Sequence, residues 1–264
     1  MAEAVSTRTT AGAGKAPLLD VSSLTKRYGA LVAVDNVSMQ VADGEVRAVI
    51  GPNGAGKTTL FHLISGVVAP TAGQVRFAGE DITRLPAHAV CQRGLSRTFQ
   101  LTSLFPEMTA RENVALAAQA RHARRWLPFG GSDVFAEARR AGDAALEQLS
   151  LGPIADRPAG LLSHGDQRLL EVAMAMAQAP KVLILDEPTQ GLSVEETAEA
   201  VETLARFLQS ARLTVLLVEH DMEVVFRLAH RITVLHRGSV IADDVPEAVR
   251  ADARVQEAYL GGMD

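Results

Sequence analysis

The stretch Val46–Thr58, VRAVIGPNGAGKT, decides the fold of this chain. It joins an apolar run, Val46–Ile50, to a glycine-rich loop, Gly51–Thr58, that fits the pattern G-x-x-x-x-G-K-[ST]. Apolar residues then recur at helical spacing over Thr58–Ser65. A strand, a glycine-rich turn and a helix in this order point consecutive backbone N–H groups at phosphate oxygens. We therefore expect a nucleotide phosphate to bind where this strand ends.

The loop residues have predicted roles in that binding. The Lys57 ammonium is expected to reach the β- and γ-phosphates, and the Thr58 hydroxyl to bind Mg²⁺. The chain has only four lysines against twenty-two arginines, and one lysine falls at this position. The residues predicted to contact the nucleotide here are Gly51, Pro52, Asn53, Gly54, Ala55, Gly56, Lys57, Thr58 and Thr59.

A second motif is the apolar strand Val182–Leu185, which ends in two carboxylates. Asp186 at the end of the strand can be presented to the metal ion. Glu187, one residue later, is a candidate general base for polarising a water molecule. Alone, such a strand end is ordinary, but together with the loop it indicates a phosphate-loop nucleotidase.

The remaining pattern predicts an α/β fold. Buried strands at Val182–Leu185 and Thr214–Val218 alternate with amphipathic helices, which favours a mainly parallel sheet covered on both faces. One helix is predicted over Ser193–Gln209. Its buried side is expected to consist of Val194, Ala198, Val201, Leu204 and Leu208.

Three further regions complete the predicted organisation. Residues 1–17 are small and polar and are expected to form a disordered tail before a single domain over 18–262. Short strands before Ile82, with Asp43-Gly44 as a hairpin turn signal, predict an N-terminal antiparallel β subdomain. The Ala-rich region of about 94–163 predicts an inserted helical subdomain.

Composition excludes several classes of function. The formal net charge of −5 and the aromatic content of 4% argue against a nucleic-acid binder. The single cysteine, Cys91, excludes a disulfide framework or a cysteine-built metal site. No apolar run approaches the roughly 20 residues of a membrane-spanning helix, so we expect a cytosolic protein.

Further motifs resemble those of ABC ATPases, in the family's order over Leu18–Val240. LSHGDQ at Leu162–Gln167 resembles the LSGGQ signature, and Gln100 in RTFQ resembles the Q-loop glutamine. His220 follows a strand as the family's switch histidine does. Tyr28 precedes the loop, where the family places an aromatic residue that stacks on adenine.

That resemblance implies ATP and Mg²⁺ as cofactors and a head-to-tail dimer of ATPase subunits. Ser163 and Gly165 would face the γ-phosphate held by the second subunit. Gln100, at the hinge of the helical subdomain, would touch Mg²⁺, and the outer surface of that subdomain would dock on membrane partners. The sequence departs from the family at His164 and Asp166 in the signature, and at Ser193, where many relatives have aspartate. Ser193 is also predicted to cap the following helix.

Local strings such as RTFQ, LFPEMT and the terminal AYLG resemble the larger ATPase of bacterial branched-chain amino acid importers, over about 18–262. The implied partners are an identical or paralogous ATPase, two permeases and, indirectly, a periplasmic or lipid-anchored binding protein, at the cytoplasmic face of the inner membrane. Alternatives are a urea or amide importer, a lipopolysaccharide exporter, a soluble ABC ATPase acting on translation or nucleic acid, and a non-hydrolytic scaffold. The Arg121–Trp126 stretch is either a membrane or permease contact or a solvated helical face.

Overall fold

The computed structural model describes residues 16–98, 104–119 and 131–260, and the side chains of these residues except at 131–133 and 260. Most of the predicted tail, Gln100 and the Arg121–Trp126 stretch lie outside the described residues. The strands are β1 Leu19–Tyr28, β2 Leu31–Val41, β3 Val46–Ile50, β4 Ala72–Phe77, β5 Glu80–Asp81, β6 Leu95–Arg97, β7 Val182–Asp186, β8 Thr214–Val218, β9 Arg231–His236 and β10 Ser239–Asp244. The helices are α1 Lys57–Ile64, α2 Ala87–Gln92, α3 Ala110–Gln119, α4 Gly131–Gln148, α5 His164–Met176, α6 Val194–Ala211, α7 Met222–Leu228, α8 Pro246–Ala251 and α9 Ala253–Leu260.

The strands form two sheets in the described part of the chain. The larger sheet has the order β10-β9-β3-β8-β7-β6, in which all neighbouring pairs are parallel except β9 with β10. The smaller sheet has the order β2-β1-β4-β5 and is antiparallel. The predicted α/β fold with an N-terminal antiparallel part is therefore confirmed.

The larger sheet is buried on both faces, which explains its continuous apolar strands. Along β7, Val182 and Ile184 face a core shared with the smaller sheet and α1. Leu183 and Leu185 face a second core built with the helices that follow residue 104. Because side chains alternate across a strand and both faces are buried, Val182–Leu185 of β7 and Val215–Val218 of β8 are apolar throughout.

The helical layer begins later than its predicted start near residue 94. Leu95–Arg97 is β6, the edge strand of the larger sheet, and pairs in parallel with β7. In the described residues, the helices of this region are α3 and α4, which pack against each other and against α5. These helices therefore extend from the edge of the sheet at which β6 lies.

One local prediction was wrong, and another was right only in part. Asp43-Gly44 does not close a hairpin, because β2 belongs to the smaller sheet and β3 to the larger one; the hairpin turn lies between β1 and β2. On the predicted side of α6, Leu204 and Leu208 are buried and Val201 packs against the core. Val194, in contrast, is 82% exposed, and Ala198 is exposed too. The residues of α6 that are buried are Ala200, Thr203, Leu204, Ala205, Phe207 and Leu208.

No helix among the described residues is long and apolar enough to cross a membrane.

The N-terminus of α6 gives a test of local stability. The Ser193 hydroxyl accepts the Glu196 N–H at 3.2 Å, and the Glu196 carboxylate accepts the Ser193 N–H at 3.0 Å, which is the predicted capping box. We expect Ser193→Ala to lower the free energy of unfolding by about 1 kcal/mol, because the Glu196 N–H in the first turn loses its acceptor. Urea denaturation measures the change.

Ser210→Ala in the same helix is the control. The Ser210 hydroxyl bonds to the Phe207 carbonyl inside the last turn, where alanine is the better helix former. We expect this variant to be neutral or slightly stabilising. Equal losses in the two variants would contradict the assignment of the cap.

Candidate nucleotide-binding and catalytic site

The predicted functional residues collect where parallel strands of the larger sheet end. The loop Gly51–Thr58 follows the central strand β3, Glu187 follows β7, and His220 lies two residues beyond the end of β8. Since β3 pairs with β8 and β8 with β7, these loops lie side by side at the carboxyl ends of the parallel strands.

The loops surround an open cavity of about 990 Å³. Lys57, Glu187 and His220, which come from three different strand ends, all line it. The other lining residues are Leu31, Val32, Ala33, Asn53, Gly54, Ala55, Gly56, Thr58, Thr59, Gln190 and Arg237. Because this volume is within the range of small-molecule sites, the cavity can hold a nucleotide.

Two loop glycines are required by close backbone contacts. A Cβ atom at Gly51 would lie 2.1 Å from the Leu235 carbonyl oxygen, and one at Gly56 would lie 2.3 Å from the Ala33 carbonyl oxygen. Gly56 also has a φ of 102° at the N-terminus of α1, a conformation that side chains disfavour. The loop therefore keeps its path, with the N-terminus of α1 facing the cavity, only with glycine at both positions.

Lys57 is buried within the loop that it closes. Its Nζ donates to the Gly51 carbonyl at 2.6 Å and to the Pro52 carbonyl at 3.2 Å. Burial lowers the pKa of the Lys57 ammonium, and the nearby Glu187 carboxylate partly offsets that shift. A cation beside a helix N-terminus and free backbone N–H groups forms a cradle that fits nucleotide phosphates.

Glu187 and His220 are in direct contact. The His220 Nε2 lies 2.6 Å from Glu187 Oε1. The Glu187 backbone has a φ of 51°, which is uncommon for a residue with a side chain, and its N–H donates to the Val218 carbonyl at 2.9 Å. Strained backbone conformations concentrate at functional sites, and here the strain turns a buried carboxylate towards the cavity.

Glu219 is a residue of this site that the sequence reasoning missed. Its buried carboxylate accepts the Thr189 N–H at 3.0 Å and the Thr189 hydroxyl at 2.5 Å through Oε1. Its Oε2 accepts the His220 N–H at 3.0 Å. Glu219 therefore ties the loop after Glu187 to the loop that carries His220. A carboxylate placed directly after the buried strand β8 was the available signal.

Asp186 is the last residue of β7 and belongs to a polar cluster with Arg97 and His62. Arg97 Nη2 donates to Asp186 Oδ2 at 2.5 Å, and both side chains are largely buried. His62, on the α1 helix that carries Thr58, faces the same pair. Burial and the Arg97 cation lower the pKa of the His62 imidazole, while Asp186 opposes the shift.

Among the described residues, no group of three or more His, Cys, Asp or Glu side chains could hold a metal ion. Thr58 and Asp186 nevertheless suit Mg²⁺, which is commonly bound by one or two protein oxygens together with phosphates and water. Asp186 offers a carboxylate at the end of β7, and Thr58 offers a hydroxyl in the first turn of α1. The donor set therefore fits a metal ion that arrives with the nucleotide.

Tyr259 on α9 contacts the loop from the C-terminal end of the chain. Its hydroxyl oxygen accepts the Gly51 N–H, and burial raises the pKa of Tyr259 to about 12. Gly51 is therefore held on both sides, since its carbonyl accepts the Lys57 ammonium. The only sequence signal for this contact was the AYLG string near the C-terminus, and that string does not reveal which residue Tyr259 contacts.

Six of the predicted site residues that the structure describes do not line the cavity, namely Gly51, Pro52, Asp186, Tyr28, Ser163 and Gly165. Tyr28 ends β1, is 47% exposed, and lies under the Lys26 ammonium, with 5.0 Å between Nζ and the ring centre. Ser163 is the exposed N-cap of α5, where its hydroxyl accepts the Asp166 N–H at 3.1 Å. Gly165, the second residue of α5, is buried, and a Cβ there would lie 3.6 Å from the Glu196 Cβ.

Comparison with known proteins gives two family matches. Residues 34–190 match the model of the ABC transporter family, and residues 239–264 match that of the branched-chain amino acid ATP-binding cassette transporters. The second match includes Tyr259.

Individual relatives agree with these matches. The chain is 42% identical to the high-affinity branched-chain amino acid transport ATP-binding protein BraF of Pseudomonas aeruginosa, over 93% of this chain and 98% of that one. It is 34% identical to the lipopolysaccharide export system ATP-binding protein LptB of Acidithiobacillus ferridurans, over 92% and 97%. The crystal structure of the ADP conformation of MJ1267, an ATP-binding cassette of an ABC transporter, has a TM-score of 0.81 at 29% identity and covers 94% of this chain and 100% of that one.

The contact between Tyr259 and Gly51 is tested by spectroscopic titration. The chain has two tyrosines, so removing one leaves a single tyrosinate signal. We expect Tyr259→Phe to remove an absorbance step centred near pH 12, because burial disfavours the charged phenolate. Tyr28→Phe, the matched control, should leave that step in place.

Circular dichroism at each pH verifies that the protein is still folded during the titration. A lost step near pH 10, the ordinary value for tyrosine, would mean that Tyr259 is not buried against the loop.

Proposed function

This chain belongs to the ABC transporter family, whose ATP-binding subunits hydrolyse ATP to power transport, and we propose that it drives the import of branched-chain or related hydrophobic amino acids. The C-terminal segment 239–264 carries the proposal, since it matches the branched-chain amino acid group and places Tyr259 on the phosphate loop. Identity to BraF exceeds identity to LptB over similar lengths, which favours amino acid import over lipopolysaccharide export.

Hydrolysis is assigned to the residues that line the cavity. Lys57 and the loop N–H groups would neutralise and orient the phosphates of ATP. The Glu187 carboxylate would accept a proton from the attacking water, and His220, 2.6 Å away, would hold that carboxylate in place. Glu219 keeps the two loops in register through its bonds to Thr189 and His220.

Mg²⁺ would be held by Thr58 and Asp186, together with Gln100 by resemblance to the family. Bound there, the ion would neutralise charge on the β- and γ-phosphates. The chain's own contribution is to present one hydroxyl and one carboxylate from elements that are fixed by the sheet. Tyr28 is proposed to stack on adenine, because β1 ends beside the cavity-lining residues Leu31 and Val32.

The position of the signature supports a second ATPase subunit as a partner. Ser163 and Gly165 do not line the cavity that contains Lys57, yet the N-terminus of α5 is exposed and favours anions. We assign them to the nucleotide of a partner subunit, identical or paralogous. His164 and Asp166 replace consensus residues but leave this serine and glycine in place.

The remaining partners follow from the proposed transport function. Two permease subunits would bind the helical subdomain, about 94–163, and a periplasmic or lipid-anchored binding protein would deliver the substrate to them. The chain would then work at the cytoplasmic face of the inner membrane. Nucleic acid is not a proposed partner, since the net charge is −5.

The hydrolytic role of Glu187 is tested by Glu187→Gln. We expect this variant to bind ATP normally but to lose at least about 100-fold in turnover, because glutamine cannot accept the proton. ATP should also shift it towards a dimer in sizing chromatography with light scattering. Glu223→Gln, an exposed glutamate at the start of α7, is the control and should behave as the unmodified protein. Normal steady-state turnover in Glu187→Gln would remove Glu187 from the role of general base.

The transported substrate is tested in cells that lack this chain. We expect uptake of labelled leucine, isoleucine and valine to fall in these cells and to return with the unmodified chain but not with Lys57→Ala, which should not hold the phosphates. Labelled urea is measured in parallel. Loss of urea uptake with unchanged leucine uptake would contradict the proposal and favour an amide importer.

A further inference from the structure

Arg97 forms a buried ion pair with Asp186. Its side chain is 11% exposed and that of Asp186 is 4% exposed, and 2.5 Å separates Nη2 from Oδ2. A buried arginine beside a predicted metal ligand has no role in the hydrolytic scheme above. A desolvated guanidinium is costly, so its position calls for a physical explanation.

The strands set the position of Arg97 relative to Asp186. Arg97 ends β6 and is in register with Ile184 of β7. The next residue, Thr98, donates its N–H to the Ile184 carbonyl at 2.9 Å, and its hydroxyl accepts the Asp186 N–H at 3.2 Å. The guanidinium and the carboxylate therefore project from adjacent strands. The hydrogen bonds of Thr98 continue the pairing of these strands past Arg97 and Ile184.

The geometry of the pair is not the one that gives the greatest stability. Arginine can bind a carboxylate through two parallel N–H···O bonds, but here Arg97 Nη2 donates to Oδ2 while the buried Nε has no hydrogen-bond partner. An unsatisfied buried N–H costs free energy. This one-oxygen contact fixes the direction of the carboxylate without the guanidinium closing over both of its oxygens.

We propose that Arg97 is a positioning residue that holds the Asp186 carboxylate in the orientation needed to bind Mg²⁺. The inference rests on the proposed metal role of Asp186. The guanidinium compensates the buried negative charge and binds Oδ2, which leaves Oδ1 outside the ion pair to bind the metal. Residues that hydrogen-bond to a metal ligand in this way commonly change metal affinity about 10–100-fold when they are replaced.

The test measures metal affinity without turnover. In the Glu187→Gln background, binding of a fluorescent ATP analogue is titrated with Mg²⁺, and direct Mn²⁺ binding is followed by electron paramagnetic resonance. We expect Arg97→Gln to raise the metal concentration at half-saturation about 10–100-fold. Binding of the analogue in EDTA should stay unchanged, because the loop and Lys57 are untouched.

Two further variants serve as controls. Arg93→Gln removes an arginine just before β6 whose ion pair with Glu80 is exposed, and it should leave metal affinity unchanged. Arg97→Lys keeps the charge but loses the planar guanidinium. Its metal concentration at half-saturation should therefore lie between those of Arg93→Gln and Arg97→Gln. If Arg97→Gln does not fold, as judged by its melting temperature without nucleotide, Arg97→Lys decides the question.

Asp186→Asn separates failure of this inference from failure of the metal assignment. If Asp186→Asn weakens metal binding while the Arg97 variants do not, Arg97 has no positioning role and the inference is overturned. Tighter metal binding in Arg97→Gln would also overturn it, since Arg97 would then be a competitor of the metal. If Asp186→Asn leaves metal affinity unchanged, the metal role of Asp186 is wrong, and the inference that rests on it is overturned too.

Discussion

The parallel pairing of β3, β8 and β7 is the constraint on which the nucleotide site depends. Val49 and Asp186 both pair with Val218, so the loop after β3, the residues after β8 and Glu187 all begin within two residues of one level of the sheet. A shift of one residue in either pairing would turn the alternating side chains to the opposite face. The register is secured because both faces of these strands pack into apolar cores.

The charged side chains at the carboxyl ends of these strands are stabilised by polar partners, because each is too buried to be solvated alone. Glu219 receives hydrogen bonds from Thr189 and from the backbone of His220, and Asp186 is paired with Arg97. Lys57 has two loop carbonyls as partners. Removing one partner leaves the other charge buried, which costs more than a surface pair contributes. The site therefore tolerates few polar substitutions.

Local patterns predicted the parts of this molecule that local physics decides. The phosphate loop, the strand before Glu187 and the Ser193 cap depend on residues within a few positions of each other. The hairpin at Asp43-Gly44 was wrong because the same turn residues also suit a crossing between two sheets. The contacts of Tyr259 with Gly51 and of Arg97 with Asp186 join residues 208 and 89 positions apart, so only the packed fold reveals them.

Residues from both edges of the larger sheet contact residues of the nucleotide site. Arg97, on the edge strand β6, donates a hydrogen bond to Asp186, the proposed metal ligand. Tyr259, on a helix that packs against β10 at the other edge, contacts the phosphate side through Gly51. The loop also accepts the Gly238 N–H at the Ala55 carbonyl, and Asp186 also donates its N–H to the Thr98 hydroxyl, so both are held by segments outside the phosphate-loop motif. Because Arg97 and Asp186 lie on adjacent strands, a shift of β6 against β7 would move the guanidinium relative to the carboxylate that it binds.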